Sequence, residues 1–177
     1  MVEMSSFNLH LLLVGAVGVG KTDFVENIIR NRFAPDYKLT VGVDILTKDV
    51  EFRSGEVATL SIWDIGMQQR FEPIRDTFYK GKVGIIMIFD IMREETYAET
   101  REWLTEIRQI AGAHVPFLLI GNTAKISKTN KSAIDRNNVR EFVNNEGGIY
   151  IEASPNMTQC IEKALIELTR MILESRG

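Results

Sequence analysis

The residues with the clearest chemical meaning lie near the amino terminus, where the chain reads Gly15-Ala16-Val17-Gly18-Val19-Gly20-Lys21-Thr22. They match the spacing G-x-x-x-x-G-K-[ST] of a phosphate-binding loop, or P-loop. Glycines let successive backbone N–H groups converge on one anion, and the amino end of the following helix adds its positive dipole. Lys21 supplies a point charge for the β- and γ-phosphates, and the Thr22 hydroxyl is a hard ligand suited to Mg²⁺. The motif predicts a site for a triphosphate and one Mg²⁺ ion.

The segments on either side of the loop support this interpretation. An apolar run at residues 11–14 predicts a buried strand before the loop, and residues 21–32 read as a helix after it. The alternative is a glycine-rich turn that binds nothing, and the strand–loop–helix context argues against it.

The rest of the chain alternates between apolar runs and amphipathic segments. Residues 45–52 and 58–63 alternate polar and apolar side chains around the turn signal Ser54-Gly55, which predicts an antiparallel pair of strands. Continuous apolar runs at 83–89 and 117–120 are typical of parallel strands that are covered on both faces.

Helical periodicity and one more short strand complete the predicted fold. Apolar side chains recur at helical spacing in two sets, which are Trp103, Ile107, Ile110 and Ile161, Leu165, Leu168, Ile172. Residues 149–151 predict a last strand. We expect an α/β fold with three layers: a mostly parallel six-stranded sheet with one antiparallel edge strand, and about five helices.

Composition limits the classes of function. The length of 177 residues fits one domain, spanning 1–177. A net charge of −3, from 21 basic and 24 acidic side chains, gives no reason to expect nucleic acid or an anionic membrane as the main partner. The one cysteine, Cys160, cannot form an internal disulfide, which favours a reducing, cytoplasmic location. We identify no apolar run of about 20 residues and no lipidation motif, so no membrane anchor is expected in this chain.

The chain resembles the Ras superfamily, and Rab proteins most closely, over nearly its whole length. The run Phe33-Ala34-Pro35-Asp36-Tyr37-Lys38-Leu39-Thr40-Val41-Gly42-Val43-Asp44 is similar to a Rab switch I. The run Trp63-Asp64-Ile65-Gly66-Met67-Gln68-Gln69-Arg70-Phe71 resembles switch II, and Phe78-Tyr79-Lys80-Gly81 is also Rab-like. The resemblance implies a small GTPase (G) domain with a P-loop NTPase fold that binds GTP or GDP with Mg²⁺.

The resemblance also implies roles for individual residues. Thr40 becomes the second hydroxyl on Mg²⁺, Asp64 its outer-shell carboxylate, and Gln68 the residue that orients the attacking water. Lys21 and Gln68 are the implied catalytic residues, and Thr22, Thr40 and Asp64 the implied metal residues. The implied nucleotide-binding set is Gly15, Val17, Gly18, Val19, Gly20, Lys21, Thr22, Asp23, Phe33, Thr40, Met67, Asn122, Lys125, Ser154 and Pro155.

Two departures from the family pattern concern hydrolysis and switching. Val17 occupies a position where the family has small residues, and its branched side chain should crowd the space that Gln68 and the water need. Met67 replaces a glycine whose N–H meets the γ-phosphate. Methionine keeps the N–H but restricts the backbone, although Gly66 can supply some of the lost freedom.

A third departure concerns the base. The family reads guanine with N-K-x-D, whereas this chain has Asn122-Thr123-Ala124-Lys125. Lys125 is a donor only and cannot accept the guanine N1–H and N2–H. Pro155 lacks the N–H that the family gives to guanine O6. Phe33, the stacking aromatic, and Asn122, which braces the P-loop, remain, so we expect weakened or altered base selectivity.

Two functions follow as alternatives. The first is a molecular switch that hydrolyses nucleoside triphosphate slowly, with guanine favoured on family grounds, and that binds protein effectors or regulators through switches I and II. The second is a binding or scaffold module that no longer switches with nucleotide. Membrane association, where it occurs, is expected through a partner. A Rab-like triad of Ile45, Trp63 and Phe78 is the expected effector surface, unless all three are core residues.

A metalloenzyme of another type is poorly supported by the sequence. His10 and His114 are isolated from one another, which favours a structural or exposed position for each. Cys160 reads as a small packing residue of the last helix.

Overall fold

The protein is described by a computed structural model over residues 6–29, 43–65, 75–129 and 131–176. The strands in these ranges are β1 (Ser6–Gly15), β2 (Val43–Arg53), β3 (Glu56–Ile65), β4 (Gly84–Asp90), β5 (Phe117–Asn122) and β6 (Ile149–Ala153). The α-helices are α1 (Lys21–Phe24), α2 (Arg75–Tyr79), α3 (Glu94–Ala111), α4 (Arg136–Glu146) and α5 (Thr158–Arg176).

The six strands form one sheet in the order β2-β3-β1-β4-β5-β6. Strand β2 runs antiparallel to β3 at one edge, and the other neighbouring pairs are parallel. This confirms the predicted sheet. The strands that follow β1 along the chain, β2 and β3, lie on one side of it in the sheet, whereas β5 and β6 lie on the far side of β4. The strand order therefore reverses between β1 and β4. Ligands of open α/β sheets bind outside the carboxyl ends of the strands at such a point.

The register brings the carboxyl ends of the strands level with one another. It pairs Leu13 with Asp64, Gly15 with Ile88, Asp90 with Asn122, and Asn122 with Ala153. The carboxyl ends of β1, β3, β4, β5 and β6 therefore lie along one edge of the sheet.

Two apolar clusters cover the two faces of the sheet. Along β1, Leu9, Leu11 and Leu13 join the cluster beneath α5, while Leu12 and Val14 join the cluster beneath α3 and α4. Successive side chains of a strand point to opposite faces, and both faces are buried here. This arrangement confirms the three predicted layers.

The predicted faces of the long helices are the buried ones. Ile161, Leu165, Leu168 and Ile172 of α5 are all buried. On α3, Ile107 is fully buried, while Trp103 and Ile110 pack partly buried against the core. None of the helices in the described ranges combines the length and the apolar character that crossing a bilayer demands.

The helix after the P-loop differs from the expected single helix over residues 21–32. Within the described part of this span, residues 21–29, the α-helix covers Lys21–Phe24 and the chain continues as a π-helix over Val25–Ile29. Carbonyls at a helix end lack partners within the helix. Here the Ile28 carbonyl accepts a hydrogen bond from Lys48 Nζ of β2 at 3.1 Å, and Lys48 also pairs with Glu162 of α5. Contacts with two other elements thus hold the end of this segment.

A polar and aromatic cluster lies where β1, β3 and the segment before β4 meet. Trp63 Nε1 donates to His10 Nδ1 at 3.1 Å, and the buried Lys82 Nζ lies 3.9 Å from the centroid of a Trp63 ring. Burial, and then the charge of Lys82, lower the pKa of His10 below its ordinary value of 6.5. His10 is therefore structural and His114 is exposed, as expected.

We predict that protonation of His10 destabilises the fold. The unfolded chain binds a proton near pH 6.5 while the folded chain resists it, so this part of the stability is present above pH 6.5 and is lost as the pH falls through the folded pKa. The melting temperature of the wild type should fall more steeply between pH about 7.5 and about 5 than that of His10→Asn, whose amide oxygen can accept the Trp63 bond. The exposed His114→Asn serves as the control and should follow the wild type. Equal slopes in all three proteins would contradict this role for His10.

Candidate functional site

The P-loop connects β1 to α1, and close approaches explain three of its glycines. A Cβ on Gly15 would lie 2.9 Å from the Val19 side chain, and one on Gly20 would lie 2.5 Å from Asn122 Nδ2. Gly18 and Gly20 have φ values of 79° and 90°, a region that L side chains rarely adopt. Val19 is buried beneath the loop. The glycines therefore allow a tight loop against the end of β5.

Two side chains from elsewhere in the fold hold two carbonyls of the P-loop. Asn122, at the end of β5, donates from Nδ2 to the Val19 carbonyl at 2.8 Å, and its Oδ1 accepts the Ala124 N–H at 2.9 Å. Arg93, just before α3, donates from Nη1 to the Val17 carbonyl at 3.1 Å. The brace by Asn122 was expected. Arg93 was missed, although its position just after β4 is at the edge where ligands of such sheets bind.

Lys21 and Asp64 form an ion pair beside the loop. Lys21 Nζ lies 2.7 Å from Asp64 Oδ1, and both side chains are mostly buried, at 18% and 20% exposure. Thr22 and Asp23 are exposed at the start of α1. The Thr22 hydroxyl and the Asp64 carboxylate are both hard oxygen ligands at this edge, a donor set that fits Mg²⁺.

An open cleft of about 720 Å³ lies between the P-loop and α3. Its lining includes Lys21 and Thr22 from the loop, and Arg93, Glu99 and Trp103 from α3 and its start. Val17 stands at the apex of the loop with 85% of its surface exposed. The branched Val17 side chain is therefore accessible to any molecule that approaches the loop from solvent.

The segment after β5 carries a lysine that pairs with a buried carboxylate. Lys125 Nζ lies 3.1 Å from Asp90 Oδ2, with the Lys125 side chain 60% exposed and Asp90 only 3%. The other oxygen, Asp90 Oδ1, accepts the Met92 N–H at 2.9 Å. Lys125 is thus an exposed side chain whose ammonium group pairs with a buried carboxylate. A lysine ammonium has donors only, so position 125 offers no hydrogen-bond acceptor.

Polar groups of the loop after β6 form hydrogen bonds with one another. The Ser154 hydroxyl donates to the Asn156 side-chain oxygen, and the Ser154 N–H points to Met157 Sδ at 3.4 Å. Pro155 is buried and has no N–H. Thr123 contacts this loop through its backbone N–H, which donates to the Ala153 carbonyl at 3.1 Å. Neither Ser154 nor Pro155 presents a backbone N–H that is free for a ligand.

Comparison with known proteins identifies the family. The model for the Ras family matches residues 10–174 of the chain. The Ras-related protein Rab-30 of Homo sapiens, and those of Bos taurus and Mus musculus, are each 34% identical to it over 176 residues. Each match covers 99% of this chain and 85% of the relative. The chain belongs to the Ras family.

Members of the Ras family bind GTP or GDP and Mg²⁺ and engage protein partners, so the edge described above is where the family resemblance puts the nucleotide. Of the residues implied by the resemblance, the structure brings the P-loop, Asp23, Asp64, Asn122, Lys125, Ser154 and Pro155 to this edge. The remaining four, Phe33, Thr40, Met67 and Gln68, lie outside the described residues.

The expected effector triad of this Ras-family chain is only partly accessible. Ile45 is buried, with 7% of its surface exposed, whereas Trp63 and Phe78 are half-buried. The Trp63 and Phe78 rings contact each other with centroids 6.3 Å apart. A recognition surface here would therefore consist of the two aromatic side chains and not of Ile45.

We predict that nucleotide binding depends on the Lys21 charge. Lys21→Ala should weaken the binding of fluorescently labelled GDP in Mg²⁺ by at least about 100-fold. A charged hydrogen bond to phosphate is worth about 1.5–3 kcal/mol, and the three donors of the ammonium group can serve more than one phosphate oxygen. The exposed Lys80→Ala removes a lysine away from the loop and should bind as the wild type does. Fluorescence titration measures both constants, and equal affinities in Lys21→Ala and wild type would refute the phosphate site.

Proposed function

We propose that this Ras-family protein binds a nucleoside di- or triphosphate with Mg²⁺ at the P-loop edge, hydrolyses the triphosphate slowly, and acts as a switch with relaxed base preference. The observation that carries the proposal is the P-loop braced by Asn122, with Lys21 and Asp64 paired beside it. These groups supply the charge and the hard oxygens that a metal-bound polyphosphate needs.

The phosphate part of the proposal rests on the Lys21–Asp64 pair. A Lys21 side chain held 2.7 Å from Asp64 is already at the edge where the phosphates would lie. When phosphate and Mg²⁺ bind, the lysine can exchange the carboxylate for phosphate oxygens, and Asp64 can turn to the hydration shell of the metal. Bound Mg²⁺ would neutralise charge that develops on the phosphate oxygens during transfer. Thr22, exposed at the start of α1, is positioned to be a direct ligand.

Slow hydrolysis is proposed from the P-loop apex. In-line attack on the γ-phosphate needs a positioned water, and the family resemblance puts that water beside Val17. The Val17 side chain is 85% exposed and adds two methyl groups at that position. If the Val17 side chain displaces the attacking water, or displaces the group that orients this water, the near-attack geometry is lost. This geometry contributes strongly to the rate of hydrolysis.

Relaxed base preference is proposed from Lys125 and Pro155. Guanine presents two donors on one edge, while Lys125 offers only donors and is paired with Asp90. Pro155 offers no N–H for guanine O6. Each missing neutral hydrogen bond is worth about 0.5–1.5 kcal/mol, and an unpaired buried donor costs more. Because these hydrogen bonds to the base are lost, most of the nucleotide affinity would come from contacts with the phosphates.

The second candidate is a binding module that no longer switches. The observation that favours it is that Lys21 and Asp64 satisfy each other without a ligand. Against it, a chain with no phosphate ligand gains nothing from the braces on the P-loop. In either case we propose that protein partners contact the half-buried Trp63 and Phe78, and that the protein is cytoplasmic and reaches membranes through such partners.

We predict a GTP preference over ATP below about a thousandfold, which is on the order of 4 kcal/mol. Competition titrations of GTP, ATP and XTP against one labelled nucleotide measure it. The double variant Asp90→Asn/Lys125→Asp supplies a carboxylate for guanine without placing it against Asp90, and it should raise the GTP preference. Asp90→Asn alone is the matched control and should not. A wild-type preference above about a thousandfold would contradict this reading of the base site.

We also predict that Val17→Gly speeds intrinsic hydrolysis, because it clears the space beside the expected water. Single-turnover phosphate release should accelerate by roughly 10-fold or more, corresponding to about 1.4 kcal/mol of activation free energy. Val25→Ala, which lies in the π-helix away from the loop apex, controls for a general effect of shortening a valine. An unchanged rate in Val17→Gly would mean that Val17 does not limit hydrolysis.

A further inference from the structure

We propose that Arg93 is a positioning residue for the phosphate site. Its guanidinium holds the Val17 carbonyl so that the Gly18 N–H faces the bound phosphates, and its charge adds to their binding. The inference rests on the proposed function and extends it to a residue outside the P-loop motif.

The backbone of Arg93 is held on both sides. Its N–H donates to the Asp90 carbonyl at 2.9 Å, and its own carbonyl accepts the Thr96 hydroxyl at 2.7 Å and the Thr96 N–H at 3.1 Å. Thr96 is fully buried. The side chain therefore starts from a rigid point at the carboxyl end of β4, next to the strand that leads into the P-loop.

The guanidinium reaches the P-loop from that point. Nη1 lies 3.1 Å from the Val17 carbonyl oxygen, while Nε pairs with Glu95 at 3.0 Å. Glu95 thus fixes one edge of the planar group and turns the other edge toward the loop. The fork geometry of arginine suits this double contact, and lysine cannot reproduce it.

Peptide geometry connects this contact to the ligand. The Val17 carbonyl and the Gly18 N–H belong to one trans peptide group, so they point in opposite directions. Because Arg93 holds the Val17 carbonyl toward the start of α3, the Gly18 N–H points the other way. On that side we propose that the N–H groups of the P-loop converge on phosphate. A hydrogen bond from a cation also polarises the peptide and strengthens the donor at its other end.

Gly18 and Asn122 fit the same arrangement. A Cβ on Gly18 would lie 3.3 Å from Arg93 Nη1, and the φ of 79° at Gly18 disfavours a side chain in any case. Asn122 holds the Val19 carbonyl at 2.8 Å. The carbonyls on either side of Gly18 are therefore both fixed. The buried Asn122 amide holds that of Val19, and Arg93, whose side chain is 39% exposed, holds that of Val17.

The competing explanation is that Arg93 only forms a surface ion pair with Glu95. Such pairs contribute little to stability and would not affect a ligand. The two explanations differ in whether loss of the guanidinium changes phosphate binding and its dependence on salt, because a partly exposed charge that attracts phosphate is screened by added ions.

The test measures dissociation of ribose-labelled fluorescent GDP and GTP by stopped flow, and their affinities at low and high KCl, in the full chain with Mg²⁺. Arg93→Ala and Arg93→Gln should raise both dissociation rates by about 10-fold, and Arg93→Lys should fall between them and the wild type. The affinities of the first two variants should depend less on KCl than that of the wild type. Arg101→Ala removes an arginine of α3 that lies over the Phe142 ring, and it should match the wild type in every measurement.

The outcomes separate this inference from the proposed function. If the wild type binds neither nucleotide, the proposed function fails and Arg93 has no phosphates to position. If the wild type binds and Arg93→Ala binds equally well, the inference is overturned while the proposed function stands. If Arg93→Ala weakens binding but keeps the wild-type salt dependence, and Arg93→Lys behaves like Arg93→Ala, the residue acts only through local structure and the inference is again overturned.

Discussion

The hydrogen bond from the Asn122 amide to the Val19 carbonyl, 2.8 Å long and buried, joins the P-loop to strand β5. Asn122 also lies in register with Asp90 of β4 and Ala153 of β6. Because an unpaired buried amide or carbonyl costs free energy, this bond restricts the loop to one position relative to the sheet. The other contacts of the site form around this fixed P-loop. They are the Lys21–Asp64 pair, the Arg93 contact and those of the segment after β5.

Much of the fold could be predicted because burial imposes a period on the sequence. Both faces of β4 and β5 are covered, so they read as continuous apolar runs, and Ile161, Leu165, Leu168 and Ile172 mark the buried face of α5. Helix α4 has a weak pattern because only Val139 and Val143 of its eleven residues are buried. It depends instead on Asp135, which accepts hydrogen bonds from the Asn137 and Asn138 N–H groups at its start. The π-helical winding at Val25–Ile29 has no periodic signal of its own.

In the functional site, too, some features could be predicted from the sequence and others could not. The P-loop could be predicted because its residue types follow from local chemistry, and the loss of a base acceptor at Lys125 follows from the side chain itself. The pairing of Lys125 with Asp90, 35 residues away, and the reach of Arg93 across 76 residues are properties of the fold that no local spacing encodes. In physical terms the phosphate half of the edge has donors and hard oxygens in place, whereas the base half has an ion pair and a proline. This contrast supports our proposal that nucleotide affinity comes mainly from phosphate contacts.

The most direct test of this account is the nucleotide that the protein holds. The purified wild type is incubated with Mg²⁺ and an equal mixture of GTP, ATP and XTP, separated from free ligand and heat-denatured, and the released nucleotide is identified by chromatography. The account predicts close to one nucleoside di- or triphosphate per chain, drawn from more than one base, and almost none from Lys21→Ala. Release of no nucleotide from the wild type would contradict the phosphate site itself.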